Sequence, residues 1–274
     1  MRLSRSSIND RAAWEAIGVK LPQFNLDEVA KNTKDRPQWV HFGAGNIFRG
    51  FVANAHQKLL DSKKADTGIV AVESFDFEVI DKVYKPFDNL TLLVLMNADG
   101  HFDKTVVASI SEAITSDRNR EEDYNRLIEI FENPSLQMAS FTITEKGYSL
   151  TDASGNFLEI VKKDIENGPE SPIHTMSLIT ALAYRRYKKG KYPMTFVSMD
   201  NCSHNGDRIK EAVLTIAKEW LKRGFVEEDF INYLEDESKI TYPLTMIDKI
   251  TPRPSEVVKD ALTKEGIEGM DVIV

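Results

Sequence analysis

The chain has 274 residues, 42% of them hydrophobic, and 35 Lys and Arg against 43 Asp and Glu give a net charge of −8. That apolar content can bury one large core or two smaller ones, which excludes a disordered chain; the acidic balance argues against nonspecific binding to nucleic acid or membrane. The lone cysteine, Cys202, excludes an internal disulfide and a multi-cysteine metal site, and the charged start MRLSRSSINDRAAW lacks the apolar segment of a signal peptide, so a soluble cytoplasmic protein without a metal is expected.

Residues 1–36 form a polar, mixed segment broken by Pro22 and closed by Pro37, and read as an N-terminal arm ahead of one domain over 37–274. Trp39 to Phe42 is a short apolar run bounded by glycine, the pattern of a buried strand. Ile47, Phe48, Phe51, Val52, Ala55, Leu59 and Leu60 follow at helical spacing, and Gly68 to Glu73 (GIVAVE) is a second strand, so the opening order is one βαβ unit. Leu90 to Met96 and the alternating segment Lys104 to Ile110 flank Asn97-Ala98-Asp99-Gly100, which predicts an inserted hairpin. A helix at Tyr124 to Phe131, a strand at Met138 to Thr144, a helix at Met176 to Tyr187, a strand at Met194 to Met199 and a helix carrying Ile209, Val213, Ile216 and Trp220 on one face complete the pattern. The alternation predicts an α/β fold: a doubly wound, mainly parallel Rossmann-type sheet with an added β-hairpin.

Ligands of such sheets sit beyond the carboxyl ends of the strands. Four polar clusters fall there: Gly43-Ala44-Gly45, Glu73-Ser74-Phe75-Asp76, Thr144-Glu145-Lys146-Gly147-Tyr148, and Asp200 to Gly206. The glycine pair permits a tight turn and close approach of a diphosphate to the start of a helix near Asn46. Phe48 stands where a third glycine is usual, so an ordinary strand-to-helix turn is an equal reading of these residues alone. Arg49, one turn into the helix, is within reach of a phosphate or is a surface charge. A carboxylate at Glu73 suits a ribose and repels a 2′-phosphate, favouring NAD over NADP; Asp76 competes for that role or caps the next helix. Asn201 offers a carboxamide donor to an oxygen gaining charge, or a helix cap. The five histidines lack metal-ligand spacing.

HFGAGNIFRGF, SFTITEKGY, SMDNCSHNG and YPLTMIDKITPRP, in this order, resemble the polyol-specific long-chain dehydrogenases, the mannitol dehydrogenase family, over nearly the whole chain. The turn is similar to that family's GxGxFxR, with Ile47 at the usual phenylalanine and Arg49 at the arginine. The wording ITEKGY and IDKITPRP is most similar to the fructuronate reductase branch.

The resemblance implies a zinc-independent, NAD-dependent oxidoreductase acting on a secondary alcohol or ketone of a sugar acid or polyol, D-mannonate to D-fructuronate first; mannitol 2-dehydrogenation or an inactive NAD-binding protein is the alternative. It implies cofactor contacts from Gly43, Ala44, Gly45, Asn46, Ile47 and Arg49 at the turn, from Glu73 and Asp76 at the adenosine ribose, and from Glu145, Lys146 and Asp200 at the later strand ends. Asn201 and Asp248 are implied near the reacting oxygen. The family's base is a lysine followed by asparagine and histidine on a second, helical domain. No Lys-x4-Asn-x2-His arrangement occurs here, so the chain is expected to be the cofactor-binding half, inactive alone, with that domain as its intramolecular partner.

Overall fold

The computed structural model describes residues 1–249, 251 and 255–270. The Pro-Arg-Pro end of the fourth motif, at 252–254, lies outside the described residues, as do Ile250 and 271–274. The strands among the described residues are β1 (Val19–Lys20), β2 (Trp39–Phe42), β3 (Ile69–Glu73), β4 (Thr91–Met96), β5 (Phe102–Val107), β6 (Ile110–Thr115), β7 (Met138–Phe141), β8 (Met194–Ser198) and β9 (Ile240–Thr241). The chain divides into two compact units, one formed by Met1–Pro37, Gly43–Asp117 and Lys249–Val274, the other by Gln38–Phe42 and Arg118–Asp248.

In the first unit β3 pairs in parallel with β6, and a separate three-stranded sheet has the order β1-β5-β4. β3 is buried along its whole length, as the uninterrupted apolar run IVAV requires. The expected hairpin is present: β4 and β5 are antiparallel, and the turn closes through Asn97 N–H to His101 O and Gly100 N–H to Asn97 O, each 2.9 Å. Its second strand stops at Val107, short of the predicted Ile110. Ala108 N–H donates instead to Gln57 Oε1 at 2.6 Å, and the chain turns to begin β6 beside β3.

The N-terminal arm belongs to this unit. Leu3, Ile8, Trp14, Val19 and Leu21 are buried in one cluster with Phe87, Leu90, Val106, Leu262 and Ile267. Trp14 is fully buried and donates its indole N–H to Ser7 O at 3.0 Å, while Asn25 caps the helix Leu26–Asp35 through the amides of Asp27 and Glu28.

The second unit holds the all-parallel ladder β2-β7-β8-β9. Phe42 stacks on Phe141 at 5.4 Å between ring centroids, and Phe141 meets Phe196 at 6.2 Å, so neighbouring strands share one aromatic layer. The helices Glu121–Glu132, Thr175–Gly190 and Asn205–Lys222 fall where the 3.6-residue spacing put them; Glu159–Asn167 and Glu228–Glu235 were not foreseen. Arg186, fully buried on the helix Thr175–Gly190, gives its five N–H groups to the carbonyls of Phe131, Asn133, Leu136, Tyr192 and Pro193 at 2.7–3.0 Å. No helix among the described residues is long and apolar enough to cross a membrane.

Candidate functional site

In the first unit the glycine turn runs directly from β2 into a helix that starts at Asn46. Gly43 has φ +101°, a conformation that side chains rarely adopt, and its N–H donates to Val72 O at 2.9 Å. A Cβ placed on Gly45 would meet nothing within 4 Å, so the space above this backbone is open. The helix is not regular: Phe48–Val52 takes π geometry, with Ala53 N–H donating to Phe48 O, before α geometry resumes at Ala53–Asp61. Phe48 is fully buried. The residue in place of a third glycine therefore packs as core, and the helix widens at that level.

Glu73, at the buried end of β3, is a clamp. Its Oε2 accepts the N–H of Ala44 at 3.0 Å, and its Oε1 accepts those of Ser74 and Phe75 at 2.9 Å each. A carboxylate has about four acceptor positions, and backbone amides occupy three of them. Tyr84, at the end of a second π segment (Ile80–Tyr84), donates its hydroxyl to Ala44 O at 2.8 Å. Ala44 is thus held at both its N–H and its carbonyl.

Arg49 lies beside Tyr84, its guanidinium carbon 5.9 Å from the ring centroid, and Nη2 donates to Asn46 Oδ1. Its Nε is buried without a hydrogen-bond partner, and no carboxylate among the described residues pairs with it. Burial lowers the guanidinium pKa, opposed by the Tyr84 hydroxyl; burial raises that of Tyr84 far above its ordinary value. Asp76 is exposed, and its side chain makes no hydrogen bond or ion pair with a described residue.

In the second unit Asp200 plays the part that Glu73 plays in the first. Its Oδ2 accepts from Ile143 N at 2.9 Å and from the Tyr148 hydroxyl at 2.6 Å, and Oδ1 accepts from Thr144 N at 3.1 Å. Tyr148 also lies 2.8 Å from Ser198 Oγ; burial, then the Asp200 charge, push its pKa far up, so it stays a neutral donor. Thr144 has φ +64°, an outlier for a β-branched residue, and this carboxylate holds it there. Glu145 is exposed and pairs with Arg208 at 3.0 Å. The side chains of Lys146, Asn201 and Asp248 are exposed and make no hydrogen bond or ion pair with described residues.

The sequence reading did not single out Tyr84, Tyr148, Asn205 or Thr245. Asn205 is fully buried and joins two motifs: its Nδ2 donates to Asp200 O, Thr245 O and Thr245 Oγ1, and its Oδ1 accepts Thr245 N. Gly206 follows where a Cβ would come within 2.4 Å of Tyr242 O. Three of these residues lie within quoted motifs, which was the available signal; Tyr84 has no local marker. Among the described residues no group of three or more His, Cys, Asp or Glu is arranged to hold a metal ion.

Comparison with known proteins bears on this geometry. The family model for the mannitol dehydrogenase Rossmann domain matches residues 37–266. The D-mannonate oxidoreductase of Thermotoga maritima is 54% identical over all 274 residues, which make up 50% of that relative. A substrate-free D-sorbitol dehydrogenase structure superposes with TM-score 0.80 at 26% identity, covering 100% of this chain and 53% of its own. The ternary complex of Pseudomonas fluorescens mannitol 2-dehydrogenase with NAD and D-mannitol gives TM-score 0.79 at 25% identity, over 97% of this chain and 51% of its own. The chain spans about half the length of the relatives it matches. It belongs to the mannitol dehydrogenase family, as an α/β chain that carries that family's Rossmann domain.

Proposed function

We propose that this chain is the NAD-binding half of an oxidoreductase that interconverts a secondary alcohol and a ketone on a sugar acid, D-mannonate and D-fructuronate. The observation that carries the cofactor reading is Arg49. A half-buried guanidinium with an orphaned Nε and no carboxylate partner among the described residues stands beside a glycine turn that is open above Gly45. An unpaired buried cation is costly, and a diphosphate supplies the counter-charge it lacks. Gly43, Ala44, Gly45, Asn46 and Ile47 form the turn and the first helical residues and are proposed to border the diphosphate, the amides of Gly43 and Ala44 shaping the turn through Val72 O and Glu73.

Glu73 keeps one acceptor position for a ribose hydroxyl, and its charge disfavours a 2′-phosphate. When bound, the nicotinamide supplies the hydride. Asn201 is proposed to donate to the substrate oxygen, with Asp248 nearby; Glu145, Lys146 and Asp200 are proposed to border the cofactor, Asp200 by shaping the 143–148 turn. The substrate reading rests on the 54% identity to a D-mannonate oxidoreductase, against 25% to the mannitol enzyme.

Calorimetric titration of NADH and NADPH into the chain tests the cofactor reading, with NADH expected to bind more tightly. No heat with either at millimolar concentration would overturn it. Oxidation of NADH with D-fructuronate, D-tagaturonate and D-fructose, followed on the product of the whole reading frame, tests the substrate. A preference for D-fructose would replace the sugar acid with a polyol.

A further inference from the structure

Phe75 is 93% exposed, the most exposed large apolar side chain among the described residues. Single exposed apolar residues are common and by themselves mean little. Two features separate Phe75 from that background. Its backbone N–H is held at 2.9 Å by Glu73 Oε1, and the other oxygen of the same carboxylate holds Ala44 N–H in the glycine turn. The ring therefore stands on a backbone fixed relative to the turn. It also stands just past the carboxyl end of β3 (Ile69–Glu73), and no described aromatic ring stacks on it.

A dinucleotide with its diphosphate on the Gly43–Gly45 turn sends its adenosine toward the end of the next strand in a doubly wound sheet. Its ribose would come to the Glu73 carboxylate, and the base then extends past it into solvent. The base needs a flat apolar surface there rather than a charge, because every nucleobase has a π-face to offer. We infer that Phe75 is the stacking surface for the adenine ring, the specificity element that makes this site read a dinucleotide rather than a bare phosphate ester. The Glu73 clamp keeps low the ordering cost of presenting it. The inference rests on the cofactor reading given under the proposed function.

The test is calorimetry on the wild-type chain and on Phe75→Ala and Phe75→Trp, with NADH, ADP and reduced nicotinamide mononucleotide, which lacks adenine. Phe75→Ala should weaken NADH and ADP by roughly ten- to a hundredfold. It should leave the mononucleotide and the melting temperature unchanged, since the ring buries almost nothing. Phe75→Trp should restore binding, and ADP should quench its indole fluorescence. A wild-type chain that binds NADH while Phe75→Ala binds it equally well would overturn the Phe75 assignment alone, as would an equal loss for the mononucleotide. A wild-type chain that binds neither NADH nor ADP would overturn the cofactor reading as well.

Discussion

The hydroxyl of Tyr148 lies 2.6 Å from Oδ2 of Asp200, and the same carboxylate caps the amides of Ile143 and Thr144. One side chain thus fixes a turn that contains a left-handed threonine. Asp200→Asn removes the charge and turns one of the two acceptor oxygens into a donor facing N–H or O–H groups. It should cost about 2–3 kcal/mol, from charge-assisted hydrogen bonds lost and donors left opposed. Tyr148→Phe should cost less, about 1–2 kcal/mol. Urea unfolding of both variants measures the difference; equal losses would mean that the hydroxyl carries the whole effect.

Arg49 separates stability from binding. Arg49→Met keeps the aliphatic stem and removes a buried, unpartnered donor. The unfolding midpoint should stay level or rise, while NADH affinity falls at least about tenfold, the loss expected for one charge-assisted contact to phosphate. A lower midpoint with unchanged affinity would assign the guanidinium to folding.

Arg186 is the opposite case, a cation kept for structure. Lysine offers three donors on a point charge and cannot reach five carbonyls disposed around a planar fork. Arg186→Lys should destabilise the second unit by about 3 kcal/mol or more, read from its denaturant midpoint, since several buried carbonyls lose their donors.

Burial lowers the pKa of His56, against the opposing bond of Nε2 to Thr67 O at 2.7 Å, and lowers that of His174, against the Asp164 charge and a bond with Ser149. Below the ordinary histidine value of about 6.5 the unfolded chain takes up protons that the folded chain refuses. Stability should therefore be full above that pH and fall as the pH drops through it toward the lowered folded values. Unfolding free energies between pH 8 and pH 5 should show this slope, and it should shrink in His56→Gln.

Much of the fold was legible because its signals are local. The 42–46 turn, the Asn97–Gly100 hairpin and the apolar runs of β2, β3, β7 and β8 each lie within a few residues of chain. What escaped is set by distant partners. Glu73 reads as a ribose ligand, yet most of its acceptor capacity goes to amides, one of them 29 positions away at Ala44. Asn205 reads as part of a polar loop, yet it is a buried link to Thr245. The arm reads as peripheral because its polar residues outnumber its apolar ones, and burial of Trp14 is decided by Phe87, Leu262 and their neighbours. The site followed the same rule: glycines and strand ends announced where, while the side chains that brace them did not.

The π segment at Phe48–Val52 has a consequence for insertions and deletions. A ladder bonded from i to i+5 accommodates one residue more than the α ladder it interrupts. Removing a single residue there, Gly50 for instance, would let the ladder close in the α register without unfolding the helix. The residue lost would be the extra one, and four residues of α-helix turn through nearly the same angle as five in the π segment, so the two flanks would keep their facing. The apolar stripe of Ala53–Asp61 would stay in the core, and Asn46 and Arg49 would stay beside the glycine turn. The same one-codon deletion inside Ala53–Asp61 would instead rotate one flank by about 100° against the other.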